Sequence, residues 1–160
     1  MIAAPVVGAP AKKASPKPPA KPSTPPAITP AILGATLKTL GYPARPEGTF
    51  QRVQIEEEGK EYGYLLDLSF SKSGEWLVCM AHLAAIPDLT AVKSGPLLTL
   101  LSQNEEMVGI YFSYDKVNGR VMLNSAVPAK GLDAAGVKRA VDGMRATVIR
   151  TEVLWDAAKW

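Results

Sequence analysis

His82 is the only histidine in 160 residues and Cys79 the only cysteine. No cluster of histidines can therefore hold a metal, and any His-based triad would have to use His82. A dyad needs thiol and imidazole within hydrogen-bond reach, and a structural zinc site needs four nitrogen or sulfur ligands. The two residues stand three apart in an alternating stretch, Val78-Cys-Met-Ala-His82. Neighbouring side chains of a strand point to opposite faces, so Cys79 and His82 diverge. Cys79 reads as a small core residue and His82 as an ordinary strand-face residue. Glu56, Glu57 and Glu58 are consecutive acids ahead of Gly59-Lys60. Carboxylates that work as acid and base must converge in an apolar setting that shifts their pKa values. Three in a row at a turn read instead as a solvated charge run. Gly41, Gly59, Gly63 and Gly74 fit neither GxGxxG nor GxxxxGK[ST]. The chain is therefore expected to be non-catalytic, with no metal and no cofactor.

Charge and proline are unevenly placed. Residues 1–28 hold Lys12, Lys13, Lys17 and Lys21, no acid, no aromatic, and most of the 14 prolines. Removing those lysines from 18 Lys+Arg leaves 14 basic against 15 acidic residues, a net charge of −1 for the remainder. The pI near 9.0 thus belongs to the tail. A nucleic-acid reader carries its basic patch on the folded surface, so no specific nucleic-acid partner is expected. A segment so poor in apolar side chains cannot offset its chain entropy, and residues 1–28 are expected to be disordered. Lys17-Pro-Pro-Ala-Lys-Pro22 within it is a loose Pro-rich signal, readable as linker or as ligand for a polyproline-binding module. No apolar run approaches the ~20 residues of a membrane span. The start, Met1 to Pro10, lacks the basic n-region of a signal peptide and is broken by Pro5. A lone cysteine allows no internal disulfide, and a cytoplasmic location is expected.

Residues 29–160 must supply the folded domain. Thr29-Pro30 offers a capping hydroxyl and Pro at the first helical position; Ile32, Leu33, Leu37 and Leu40 form its apolar stripe and Gly41 its stop. Tyr42-Pro43 and Arg45-Pro46 read as an extended connection. Alternation then predicts strands over 49–57, 61–71 and 75–84, the last apolar on both faces. A second helix starts at Pro96 with Leu97, Leu98, Leu100 and Leu101. Val108 to Tyr114 and Val121 to Val127 alternate around Asn118-Gly119, a strong hairpin signal. Asp133 can cap a last helix whose stripe is Val137, Val141, Met144, Val148 and Trp155. The order α-β-β-β-α-β-β-α predicts an α+β, two-layer domain: a five-stranded antiparallel sheet with helices packed on it.

Several of these stretches resemble one family. The helix into Leu40-Gly41-Tyr42, the three-strand meander to Leu83, and Leu97-Leu-Thr-Leu-Leu-Ser-Gln-Asn104 look like the type III secretion chaperone-like fold, in particular its YbjN-type branch. So do Ile110-Tyr-Phe-Ser-Tyr114, Asn118-Gly-Arg-Val-Met-Leu123 and Val127-Pro-Ala-Lys-Gly-Leu132. The likeness covers about 30–155 and rests on lengths, apolar positions and turns rather than on a catalytic signature. It implies a small domain, often dimeric, that binds other polypeptides. Secretion chaperones of this fold hold an extended cargo segment across the sheet and first helix; YbjN-type members have regulatory or unassigned roles. The expected function is accordingly a chaperone-like or regulatory adaptor. The alternatives are a self-associating domain with no cargo and, further off, an enzyme with an unrecognised site.

Strand parity places the candidate surface. Across a two- or four-residue turn at Ser71–Gly74, even positions of one strand share a face with odd positions of the next. Tyr62, Tyr64, Leu66, Leu68 and Phe70 then join Leu77, Cys79, Ala81 and Leu83 as core. Leu65 falls with Trp76, Val78, Met80 and His82 on the other face, a mix of aromatic, thioether and polar groups suited to an extended partner segment. The alternative is a helix covering this face as well. Leu97, Leu98 and Leu101 make a stripe broader than one sheet face requires, and they are the expected homodimer interface.

Overall fold

A computed structural model describes residues 27–86, 88, 90, 92 and 94–156. Most of the expected disordered tail lies outside the described residues. Its last member, Ile28, is buried in the core, and its N–H donates to the carbonyl of Leu132 at 2.8 Å. Packing therefore reaches one residue further than the boundary at 28/29.

Helix α1 (Pro30–Thr39) starts with Pro in its first turn and buries Leu33 and Leu37. Thr29 occupies the cap position in extended backbone, but its hydroxyl makes no capping bond. Gly41 follows at φ +90, a left-handed conformation that costs glycine nothing.

The sheet has six strands rather than five, all antiparallel, in the order β1-β2-β3-β4-β6-β5. The added one is β1 (Arg45–Glu47), which pairs with β2 (Phe50–Glu56) through Arg45↔Arg52, Pro46↔Gln51 and Glu47↔Phe50. Pro46 made this stretch look like a connection. Proline is tolerated here because an edge strand has no neighbour asking for its N–H. Strands β3 (Gly63–Phe70) and β4 (Trp76–Ala85) follow, closed by Ser71 N–H donating to Trp76 O at 2.9 Å. That bond leaves a four-residue turn, so parity runs as the alternation predicts: Leu66↔Ala81, Leu68↔Cys79 and Phe70↔Leu77 share one face.

Helix α2 (Ser94–Ser102) begins two residues before Pro96 and runs into a 3-10 turn at Gln103–Glu105. Strands β5 (Ile110–Asp115) and β6 (Arg120–Pro128) form the hairpin around Gly119, with β6 between β4 and β5. Asp133 accepts from Gly136 N–H at 2.7 Å and so caps α3 (Ala134–Arg150). The last helix is not continuous. Thr151 Oγ1 donates back to Thr147 O at 2.7 Å, and a one-turn α4 (Glu152–Trp155) follows. This break brings Trp155 Nε1 to the carbonyl of Val148 at 2.9 Å and stacks its ring edge-on against Tyr62, centroids 5.0 Å apart.

The core occupies one side of the sheet. Leu33, Leu37, Leu100, Val137, Val141, Met144, Val148 and Trp155 from the helices meet Val53, Leu66, Leu68, Leu77, Cys79, Phe112 and Leu123 from the strands. Each large apolar side chain buried here contributes about 1.5–3 kcal/mol. No residue of the opposite sheet face belongs to this cluster, so every described helix packs on the same side.

One local expectation is overturned. Glu57, the middle of the acidic run, is not solvated: it is buried, accepting from Tyr64 Oη at 2.9 Å and from Arg145 Nε and Nη2 at 3.1 and 2.8 Å. It fastens the β2–β3 turn to α3.

Candidate functional site: the open face of the sheet

The face turned away from the helices is built from alternate residues in register. One row runs Arg52↔Asp67↔Met80↔Asn124↔Tyr111 across five strands. The next runs Gln54↔Leu65↔His82↔Met122↔Ser113, and a third Ser69↔Val78↔Ala126; Trp76↔Pro128 closes the end near the β3–β4 turn. Leu65, Trp76, Val78, Met80 and His82 therefore do share one face. Leu65, Val78, Met80 and His82 are half-buried among their neighbours, and Trp76 is 44% exposed. No described element covers them.

At the centre of this face lies a chain of ion-paired and hydrogen-bonded side chains that strand parity alone did not reveal. Glu47 Oε2 meets Arg52 Nη1 at 2.6 Å. Arg52 Nε and Nη2 donate to the two oxygens of Asp67 at 2.7 and 2.8 Å, and His82 Nε2 lies 2.8 Å from Asp67 Oδ2. The Arg52 guanidinium also sits 5.0 Å over the Phe50 ring. Asp67 is almost fully buried. A carboxylate taken out of water costs several kcal/mol unless its lone pairs are filled; the bidentate arginine and the imidazole fill them. The Asp67 carboxylate in turn holds the Arg52 guanidinium above its ordinary pKa. Beyond Met80, Asn124 Nδ2 donates to Ser113 Oγ at 2.8 Å. The face is thus polar and interlocked across its middle, and apolar toward Trp76, Val78 and Pro128.

His82 and Asp67 make two parts of a triad, but among the described residues no hydroxyl or thiol is bonded to the ring. Cys79 faces the core, and burial pushes its thiol up to about 12. Among the described residues no three His, Cys, Asp or Glu side chains come together as metal ligands. No described helix is long and apolar enough to cross a membrane.

The α2 leucines divide. Leu100 is buried, Leu97 half-buried, Leu98 is 65% exposed and Leu101 49%.

No protein-family model matches this chain, and no curated protein matches it. Solved structures do. A chain of the ExsC–ExsE complex superposes with a TM-score of 0.58 at 15% identity, over 78% of this chain and 91% of that one. A chain of the HopA1–SchA chaperone–effector complex gives 0.51 at 16% identity, over 72% and 86%. A chain of the heterodimeric ExoU–SpcU complex, from the type III secretion system of Pseudomonas aeruginosa, gives 0.50 at 18% identity, over 77% and 97%. The fold is type III secretion chaperone-like. At such identities the likeness concerns backbone architecture, and the side chains of the open face are this chain's own.

Proposed function

We propose that this protein is a non-catalytic polypeptide-binding module, a chaperone-like or regulatory adaptor that receives an extended partner segment on the open face of its sheet. One observation carries this reading: Trp76, beside Val78 and Met80, is left exposed on a face that no described element covers. An indole at the apolar end supplies large rigid contact area, and Met80 adapts to varied side chains. The Glu47–Arg52–Asp67–His82 chain fixes the polar end in place. The fold's occurrence in a chaperone–effector complex supports a protein partner.

The second reading, a self-associating domain, is favoured by Leu98 and Leu101, whose exposure is unusual for paired leucines on a short helix. The two are compatible, and we infer a homodimer through α2. We also infer the YbjN-type branch, on the Leu40-Gly41-Tyr42 and Asn118-Gly119 stretches, and a reducing cytoplasm, where a lone cysteine stays free.

The test is the double substitution Trp76→Ala with Met80→Ser. Partners retained by the tagged wild-type protein are identified, purified and titrated against both forms. Binding should weaken at least tenfold while the melting temperature moves by only a few degrees. If the variant unfolds, these side chains are structural; if it stays folded and binds as before, the partner lies elsewhere.

A further inference from the structure

On the helix side of the sheet, at the end where β6 reaches past β5, lies a groove of about 510 Å³. Its floor is Ile110, Ser125 and Val127, and its wall is α3, which presents Gly136, Ala140 and Gly143 one turn apart. Ala140 and Gly143 keep that stretch of the helix from filling the space, whereas a Cβ on Gly136 would meet Leu132 Cδ1 at 2.7 Å. A Cβ built on Gly143 meets nothing within 4 Å. The volume falls in the ~300–1,000 Å³ range of ligand-holding clefts.

Two further features show what the groove is shaped for. Ser125 is only 7% exposed, yet its hydroxyl has no hydrogen-bond partner among the described residues. That oxygen is not sealed from solvent, so an incoming donor or acceptor would take the place of water there. Lys130 and Arg139 are exposed on the rim, and among the described residues neither has an ion-pair partner. Asp133 is the one acid among the described residues that line the groove, and its carboxylate accepts from the Gly136 N–H at the start of α3, leaving two cations against one acid on the rim.

We propose that this groove binds an extended, acidic-apolar segment of a partner polypeptide, with a carboxylate held by Lys130 and Arg139 and a backbone group met by Ser125. The charge selects this occupant over the chain's own residues 1–26, which carry four lysines and no acid. The site lies across the sheet from Trp76 and does not depend on the open-face reading.

The experiment uses the full chain and a fluorescein-labelled octapeptide alternating leucine and glutamate, with an alternating leucine–lysine peptide as control. Fluorescence anisotropy should show the glutamate peptide binding at least tenfold tighter. Gly143→Leu fills the groove without changing charge, and should weaken that binding about tenfold while preserving the melt. Arg139→Gln should weaken it severalfold. Trp76→Ala should leave it unchanged. Amide resonances of Ser125, Val127 and Ala140 should shift on titration. Unaltered binding to a folded Gly143→Leu protein would overturn the proposal. So would loss of binding in Trp76→Ala instead, or groove resonances that respond to protein dilution but not to peptide.

Discussion

Glu57 and Asp67 show how a single acid can set local structure through partners remote in sequence. The Arg145 guanidinium, helped by Tyr64, holds Glu57 below its usual carboxylate range against the opposing effect of burial. Because the folded-state pKa is depressed, the stabilisation is complete above the unfolded carboxylate value of ~4.3. It is lost as pH falls through the lower folded-state value. Glu57→Gln should therefore cost about 1–3 kcal/mol at neutral pH and little at pH near 2. Urea melts of both proteins across that range give the answer, and equal acid sensitivity would refute it. Neither acid's role was legible locally. Glu57 finds its arginine 88 positions away, and Asp67 draws on Arg52 and His82 each 15 positions away. In the sequence, Glu57 is one acid in a run and Asp67 one polar residue in an alternating strand.

At the scale of elements, the sheet's two edges are protected differently. β1 is three exposed residues with Pro46 at its centre, a poor template for another strand. β5 is longer, and Asn104 guards it: its Oδ1 accepts from Phe112 N–H at 2.6 Å and its Nδ2 donates to Phe112 O at 3.1 Å. The amide thus occupies the backbone positions a neighbouring strand would take. Asn104→Ala should destabilise by about 1–2 kcal/mol and raise light scattering on storage. Asn104→Asp, which can accept but not donate, should fall between. A variant as stable and as dispersed as wild type would show that the edge needs no such guard. The helices and the long strands were legible because an unbroken apolar period runs along each, with Asp133 capping α3 as well. β1 escaped notice because its only pattern is a proline, and the break at Thr151 because a stripe that includes both Val148 and Trp155 looks continuous.

For the whole molecule, parity was the informative signal. The closed turn after Ser71 fixed which residues of β3 and β4 share a face, and both faces follow from it. Parity picked the core face correctly; what it could not supply was whether a helix covers the other face as well, since β4 is apolar on both. The same one-sided layering leaves Leu98 and Leu101 uncovered, and a second chain is the expected cover. Light scattering at micromolar concentration should report about twice the 17.0 kDa chain mass. Leu98→Glu should halve it, because burying a charge in an apolar seam is costly. A wild-type protein of single-chain mass, unchanged by the substitution, would remove α2 as an interface.

The position of Cys79 has a practical corollary. The residue is 1% exposed, and a thiol pushed up to about 12 carries almost no thiolate at neutral pH, the form that attacks maleimides and iodoacetamides. The native protein is therefore silent toward alkylating dyes without removal of its cysteine. A cysteine introduced at Ser69, on the open face beside Val78, would be the fast-reacting thiol, and a fluorophore or spin label there would report directly on whatever settles against Trp76.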